Sequence, residues 1–234
     1  MEYLVMIPAR GGSKGVAKKN IYPICGHPMI FYTLDLLKRV CFNGDVLVST
    51  DDEEIIRISE AIIGGRDRFF VVKRPDEYAT DEASTEVVAE HAVRYMEDTY
   101  GKKYDALITM APNLPLRTPE MFRDCIEQFE SMPDCFDSQV CFCKTDEDLW
   151  IKKDNNEFER MNPEAPRRRQ ERTPYYVEKG SVTISKIKSF LSTGSLWGNR
   201  VYGFEMDESM AIDVHDINDV HYLSFIIENN LIVK

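Results

Sequence analysis

An α/β fold, a mostly parallel sheet with helices on both faces, is predicted by three observations. Over residues 1–145, short apolar runs alternate with amphipathic helical patterns, the rhythm of repeated strand–helix units. The helical patterns open on start signals, namely Pro28, the acidic stretch from Asp51, and Thr118-Pro119, each suited to a first helical turn. A glycine-rich basic loop, MIPARGGSKGVAKKN (Met6–Asn20), directly follows the first apolar run. In such sheets ligands bind in the loops at the carboxyl ends of the strands. The 234 residues suffice for one substantial core, so residues 1–234 are read as a single domain.

The elements follow in order. Tyr3–Ile7 reads as a buried strand, then Pro28–Val40 as a helix with Ile30, Leu34 and Leu37 on one face. Asp45–Ser49 is a second strand, and TDDEEIIRISEAII a helix with acidic residues in its first turn, favoured by the helix dipole. Either Asp51 or Asp52 caps that helix, while paired carboxylates at a strand end also suit a metal or a ribose. Phe69–Lys73 is a third strand, Ser84–Tyr100 a helix with Val88, Ala92 and Tyr95 in line, and Tyr104–Met110 a fourth strand. Thr118 caps a helix lined by Phe122, Ile126 and Phe129. From Ser138 the rhythm shortens: SQVCFCK, LWIKK, EFERM and GSVTIS read as strands, with a turn at Asp154–Asn156 and a loop over 162–174. The stretch around 138–185 is therefore read as a β-rich arm inserted into the α/β core. A strand near Arg200–Glu205 and a helix from about Asp216, with Ile217, Val220, Leu223 and Ile227, close the chain.

Composition narrows the function. No apolar stretch approaches about 20 residues, and no charged, apolar and small-residue leader pattern precedes the first strand. The expectation is a protein without a membrane span or signal peptide. Six cysteines form no CxxC pair, and the four histidines lack zinc-site spacing with them; free thiols in a reducing cytoplasm are expected. The net charge of −11 argues against a nucleic-acid partner. Local basic residues in an acidic chain suit a small anionic ligand instead.

The loop after the first strand holds three glycines, three lysines and an arginine in fifteen residues. It is neither GxxxxGK[ST] nor GxGxxG. A flexible turn would explain the glycines. It would not explain Arg10, Lys14 and Lys19 gathered with Ser13 and Asn20, a set suited to phosphate.

IPARGGSKGVAKKNI resembles the signature loop of the CMP-sialic acid synthetases (acylneuraminate cytidylyltransferases) and their bacterial relatives acting on other nine-carbon acidic sugars. VSTDDEEI (Val48–Ile55), RPDEYATDEAST (Arg74–Thr85), APNLPLR (Ala111–Arg117), RRQERTPYYVEKGSVTIS (Arg168–Ser185) and AIDVHDINDV (Ala211–Val220) are similar to further family blocks, in family order. The resemblance implies a Rossmann-like α/β nucleotide-binding domain with a small β-rich dimerisation arm, hence a homodimer. The activity it implies is transfer of CMP from CTP to the anomeric hydroxyl of a nonulosonic acid, with release of pyrophosphate.

Such chemistry consists of positioning and charge neutralisation. Arg10, Lys14 and Lys19 are the candidate catalytic cations, Lys19 matching the lysine expected nearest the reacting phosphate. Ala9, Gly11, Ser13, Asn20, Arg74, Asp81 and Ser84 match nucleotide-binding positions. Arg169, Gln170 and Lys179 match positions near the sugar, where an arginine suits the carboxylate. Asp213 falls where the family holds Mg²⁺ (or Mn²⁺).

Four departures stand out. The family's Gln-Pro-Thr-Ser-Pro-Leu-Arg has Ala111, Asn113 and Leu114 in place of its glutamine, threonine and serine. Its Asn-Gly becomes Lys179-Gly180, and a later tyrosine is Thr183. Its Asp-x-Asp becomes Asp213-Val214-His215, with Asp216 displaced by one. Either Asp213 alone anchors the ion or Asp216 bends in; the alternative for Asp216 is a helix N-cap with Asp219 three residues on. The remodelled sugar half implies an acid other than N-acetylneuraminate. The alternatives are an eight-carbon 3-deoxy-octulosonic acid, or a non-catalytic nucleotide-binding homologue.

Overall fold

The computed structural model describes residues 1–13 and 15–231. Its strands are β1 (Tyr3–Pro8), β2 (Pro23–Ile24), β3 (His27–Pro28), β4 (Gly44–Thr50), β5 (Phe69–Lys73), β6 (Ala106–Thr109), β7 (Ser138–Thr145), β8 (Trp150–Lys152), β9 (Phe158–Arg160), β10 (Tyr175–Lys186) and β11 (Val201–Glu205). Its α-helices are α1 (Met29–Arg39), α2 (Glu53–Ile63), α3 (Thr85–Tyr100), α4 (Pro119–Ser131), α5 (Ile187–Thr193) and α6 (Ile217–Glu228).

Seven strands form the central sheet in the order β11-β7-β10-β6-β1-β4-β5. β5, β4, β1 and β6 run parallel; β10 is antiparallel to both β6 and β7, and β11 is parallel to β7. The chain moves from β1 through β4 to β5 on one side, then returns to place β6 on the other side of β1. That reversal opens a crevice above the carboxyl ends of β1 and β6.

β1 explains why its sequence lacks alternation. Tyr3, Val5 and Ile7 pack with Leu34, Leu37, Ile55 and Phe122, from α1, α2 and α4. Leu4 and Met6 pack on the other face with Val88, Ala92 and Phe190, from α3 and α5. A strand covered on both sides is apolar throughout. A third, smaller cluster joins Val16, Leu116, Val214, Val220 and Leu223, and so ties α6 to the crevice loops.

The helix starts follow their capping chemistry. Asp52 accepts hydrogen bonds from the N–H groups of Glu54 and Ile55. Thr118 accepts from Met121, with Pro119 in the first turn. Asp216 and Asp219 form a reciprocal capping box on α6. Cys141 and Cys143 lie together in the core beside Cys125, and all six cysteines are free thiols.

Several features add to the sequence reading. Around 138–185, β7 and β10 belong to the central sheet, while the β8–β9 hairpin between them forms a two-stranded sheet of its own. β10 begins at Tyr175; its first half, largely exposed, pairs with β7 ahead of a register shift between Glu178 and Thr183 and carries no buried alternation. α5, seven residues long, is too short for a periodic signal. On α6, Ile226 is buried while Ile217 is 41% exposed.

Arg117 is 5% exposed and acts as a bolt. Its guanidinium donates to the Ser181 carbonyl (2.6 Å), the Thr33 hydroxyl (2.8 Å) and the Ala111 carbonyl (2.6 Å), joining β10, α1 and the loop after β6. Burial pushes its pKa down to about 10. Arg117→Met removes these donors and strands two carbonyls in the interior. The expected loss is about 3 kcal/mol of unfolding free energy, read from the urea midpoint at unchanged slope; an unmoved midpoint would refute the assignment.

Candidate active site

The loop leaving β1 is held by close backbone contacts. The Ala9 N–H donates to the Ser49 carbonyl (2.9 Å), extending the sheet by one residue. The Gly11 N–H donates to Asp51 Oδ1 (3.0 Å). A Cβ on Gly11 would lie 2.6 Å from Asp52 Oδ2, and one on Gly15 would lie 1.9 Å from the His215 carbonyl oxygen. These glycines are required by close approach to neighbouring segments. The buried Asn20 amide donates to the Arg10 carbonyl (2.8 Å) and closes the loop.

Adjacent lysines diverge. Lys18 adopts a left-handed backbone, φ 52°, and its ammonium pairs with Glu54 on α2. Lys19 turns inward and donates to the Val214 carbonyl (2.8 Å). Lys14 lies outside the described residues.

The opposite wall comes from the loop after β6 and the segment before α6. The Asn113 carbonyl accepts the Val214 N–H (2.9 Å), and the Asn113 amide donates to Asp213 Oδ1. Asp213 Oδ2 lies 3.2 Å from His215 Nε2. The backbone there is fixed: the His215 and Asp216 N–H groups both donate to Asp219 Oδ2 (2.7 and 2.9 Å). Asp216 Oδ1 accepts from both the Asn218 and Asp219 N–H groups.

Between the walls lies a cavity of about 290 Å³, lined by Arg10, Ser13, Gly15, Lys19, Asn20, Asn113 and His215. A larger cleft of about 840 Å³ between α4, β11 and the end of α6 has four carboxylates, Glu120, Asp124, Glu205 and Asp207, and no lysine or arginine. Charge therefore favours the smaller cavity for an anion.

The cations beside it already hold carboxylates. Arg10 pairs with Asp81 at 2.6 Å. Arg74, 4% exposed, donates to the Tyr78 carbonyl (3.3 Å) and lies 3.9 Å from Asp51; burial lowers its pKa. The Gly11 N–H and the Arg10 guanidinium are donors that a phosphate could take over from Asp51 and Asp81. Ser84 stands at the N-terminus of α3 without making a side-chain cap.

The sugar candidates separate. Lys179 is next to Glu178 on β10, and the pKa of Glu178 is raised by burial and then by Asp213, which places Glu178 near Asp213. Arg169 instead pairs with Asp146 and with Glu147 (3.1 Å), and Gln170 shares its short exposed turn. Sequence reasoning missed Glu178, whose exposed half-strand carries no pattern, and the Asn113–Asp213 contact across 100 positions. Among the described residues no group of three or more His, Cys, Asp or Glu side chains gathers as a metal cage; Asp213 and His215 stand as a pair.

Comparison with known proteins places these features in a family. Residues 4–216 match the family model described as cytidylyltransferase. The chain is 32% identical over 248 residues to post-translational flagellin modification protein B of Campylobacter coli, covering 100% of this chain and 98% of that protein. It is 25% identical to pseudaminic acid cytidylyltransferase of Campylobacter jejuni, over 98% of each. It is 26% identical to N-acylneuraminate cytidylyltransferase of Streptococcus agalactiae over 94% of this chain, which spans only about half of that relative, 52%. With a match running from β1 to the start of α6, and with the loops of both cavity walls inside it, this chain belongs to the cytidylyltransferase family.

Proposed function

We propose that this protein transfers CMP from CTP to the anomeric hydroxyl of an acidic nine-carbon sugar and releases pyrophosphate. The observation that carries the reading is one cavity with Lys19, Arg10 and the loop amides on one wall and Asp213 beside the other. The family match and the sugar acids named for two of the relatives support it.

The sugar hydroxyl oxygen forms a bond to the α-phosphorus and gives up its proton to solvent. The bond to the bridging oxygen breaks, and its electron pair leaves with pyrophosphate. Lys19 and Arg10 offset the charge that gathers on the phosphate oxygens. The Gly11 amide and the Ser13 hydroxyl hold the triphosphate, while Asn20 and the tight packing of Gly15 keep the loop in place. Asp81 and Asp51 release their partners as CTP binds, and Arg74 stays as a buried support. Lys14 completes the cationic set by its position in the motif.

The residues present fit a divalent cation, magnesium or manganese. Asp213 Oδ2 and His215 Nε2 are adjacent donors, and Oδ1 is already satisfied by Asn113. Such an ion supplies charge compensation at the phosphate oxygens when bound. Ligands beyond this pair would come from phosphate and water.

In this reading Lys179 meets the sugar acid, Glu178 stands near Asp213, and the altered residues Ala111, Asn113 and Leu114 favour a substrate other than N-acetylneuraminate. The β8–β9 hairpin exposes Trp150, Ile151 and Phe158, an apolar surface of the kind a partner covers. We read it as the arm of a cytoplasmic homodimer that carries Arg169 and Gln170.

Three outcomes follow. In a pyrophosphate-release assay with CTP, legionaminic, pseudaminic or deaminated nonulosonic acid gives a higher kcat/KM than N-acetylneuraminate and the eight-carbon 3-deoxy acid; the reverse order would exclude this substrate class. Lys19→Met lowers kcat by about 10²–10³-fold, measured at saturating CTP with the fold checked by circular dichroism. Trp150→Glu with Phe158→Glu shifts the protein to monomer in sedimentation velocity, and an unshifted dimer would move the interface elsewhere.

A further inference from the structure

His215 departs from the family's paired aspartates, yet it does not leave the site. It lines the same cavity as Arg10, Ser13 and Lys19. Its Nε2 lies 3.2 Å from Asp213 Oδ2. Neighbouring ligands of an octahedral ion, each at about 2.1 Å, stand about 3.0 Å apart, so the two atoms are spaced closely enough to share one cation. The other Asp213 oxygen is taken by the Asn113 amide, leaving Oδ2, beside the imidazole, as the oxygen on offer. Asp216 and Asp219 are committed to the capping box, which fixes the backbone that carries the ring. Nδ1 has no hydrogen-bond partner among the described residues. The side chain is 74% exposed, so ligand exchange at Nε2 is unobstructed.

We propose that His215 Nε2 is a direct metal ligand alongside Asp213, and that this nitrogen makes the site select a transition-metal dication over magnesium. The inference rests on the cavity being the CTP site. Magnesium favours an all-oxygen shell, whereas first-row dications accept imidazole, and manganese stands lowest among them in general affinity. A preference for manganese over magnesium is thus the least that the donor pair requires. The opposing account makes His215 a hydrogen-bond donor that only orients Asp213, with oxygen ligands throughout.

The test uses the full-length protein with CTP and Mn²⁺, and reads the ion rather than turnover. Pulsed electron paramagnetic resonance of bound Mn²⁺ should show ¹⁴N coupling that changes to the ¹⁵N pattern when histidine alone is ¹⁵N-labelled, and that disappears in His215→Asp. Competition of Mg²⁺ against bound Mn²⁺ should show the manganese preference falling by at least about tenfold in His215→Asp. Thermal melting confirms that the variant is folded. Calorimetry of CTP binding with Mn²⁺ present separates the two readings. Failure of CTP to bind removes the cytidylyltransferase reading and this inference with it. CTP binding without histidine coupling, or with a preference unchanged in the variant, overturns the His215 inference alone.

Discussion

The candidate site depends on the way Val214 is held. Its side chain is fully buried in the small cluster with Val16, Leu116, Val220 and Leu223. Its N–H donates to the Asn113 carbonyl, and its carbonyl accepts from Lys19. One residue thereby joins three loops that are far apart in sequence: the stretch after β1, the stretch after β6, and the entry to α6. Neither polar contact would hold these loops against water alone, since a single hydrogen bond contributes about 1 kcal/mol. The apolar burial beneath them excludes water and fixes the register. Lys19 is brought to the segment that carries Asp213 through its bond to the buried Val214.

The electrostatics follow from this frame. The chain is acidic overall, with a net charge of −11, and its crevice cations are matched locally by carboxylates. Arg10 holds Asp81, Arg74 lies near Asp51, and the Gly11 amide holds Asp51. These pairs keep long, flexible side chains ordered before a ligand arrives, which lowers the entropy lost on binding. They also confine the positive potential to one cavity, so that a larger but acidic cleft elsewhere offers a phosphate nothing.

Much of this arrangement was legible in the sequence, and the remainder follows a pattern. The strands of the parallel half, the caps at Asp52, Thr118 and Asp216, and the basic loop all announce themselves through local chemistry: periodicity, a capping residue, glycines beside cations. What stayed hidden is non-local. That the buried Arg117 bolts β10 to the loop after β6 needs Ser181, 64 positions away. Glu178 sits on a half-strand whose register shift erases alternation. Asn113, set against the family motif, read only as the replacement of a threonine in the block near the sugar. Its amide in fact satisfies Asp213, a pairing that no spacing rule encodes.

That last contact unites two departures from the family pattern. Asn113 belongs to the fourth block and His215 to the last, and in sequence they look like separate changes, one near the sugar and one near the metal. In the fold they meet on a single carboxylate, Asn113 at Oδ1 and His215 at Oδ2. Residues that share a partner do not act additively. With the amide occupying one oxygen, Asp213 is restricted to offering the other, and the imidazole stands beside it. Restoring aspartate at 215 while keeping Asn113 would place two carboxylates together with only one of them neutralised by an amide. The two substitutions are therefore best understood as one remodelling of the environment of Asp213, built on the same clamp at Val214 that brings Lys19 to the opposite wall.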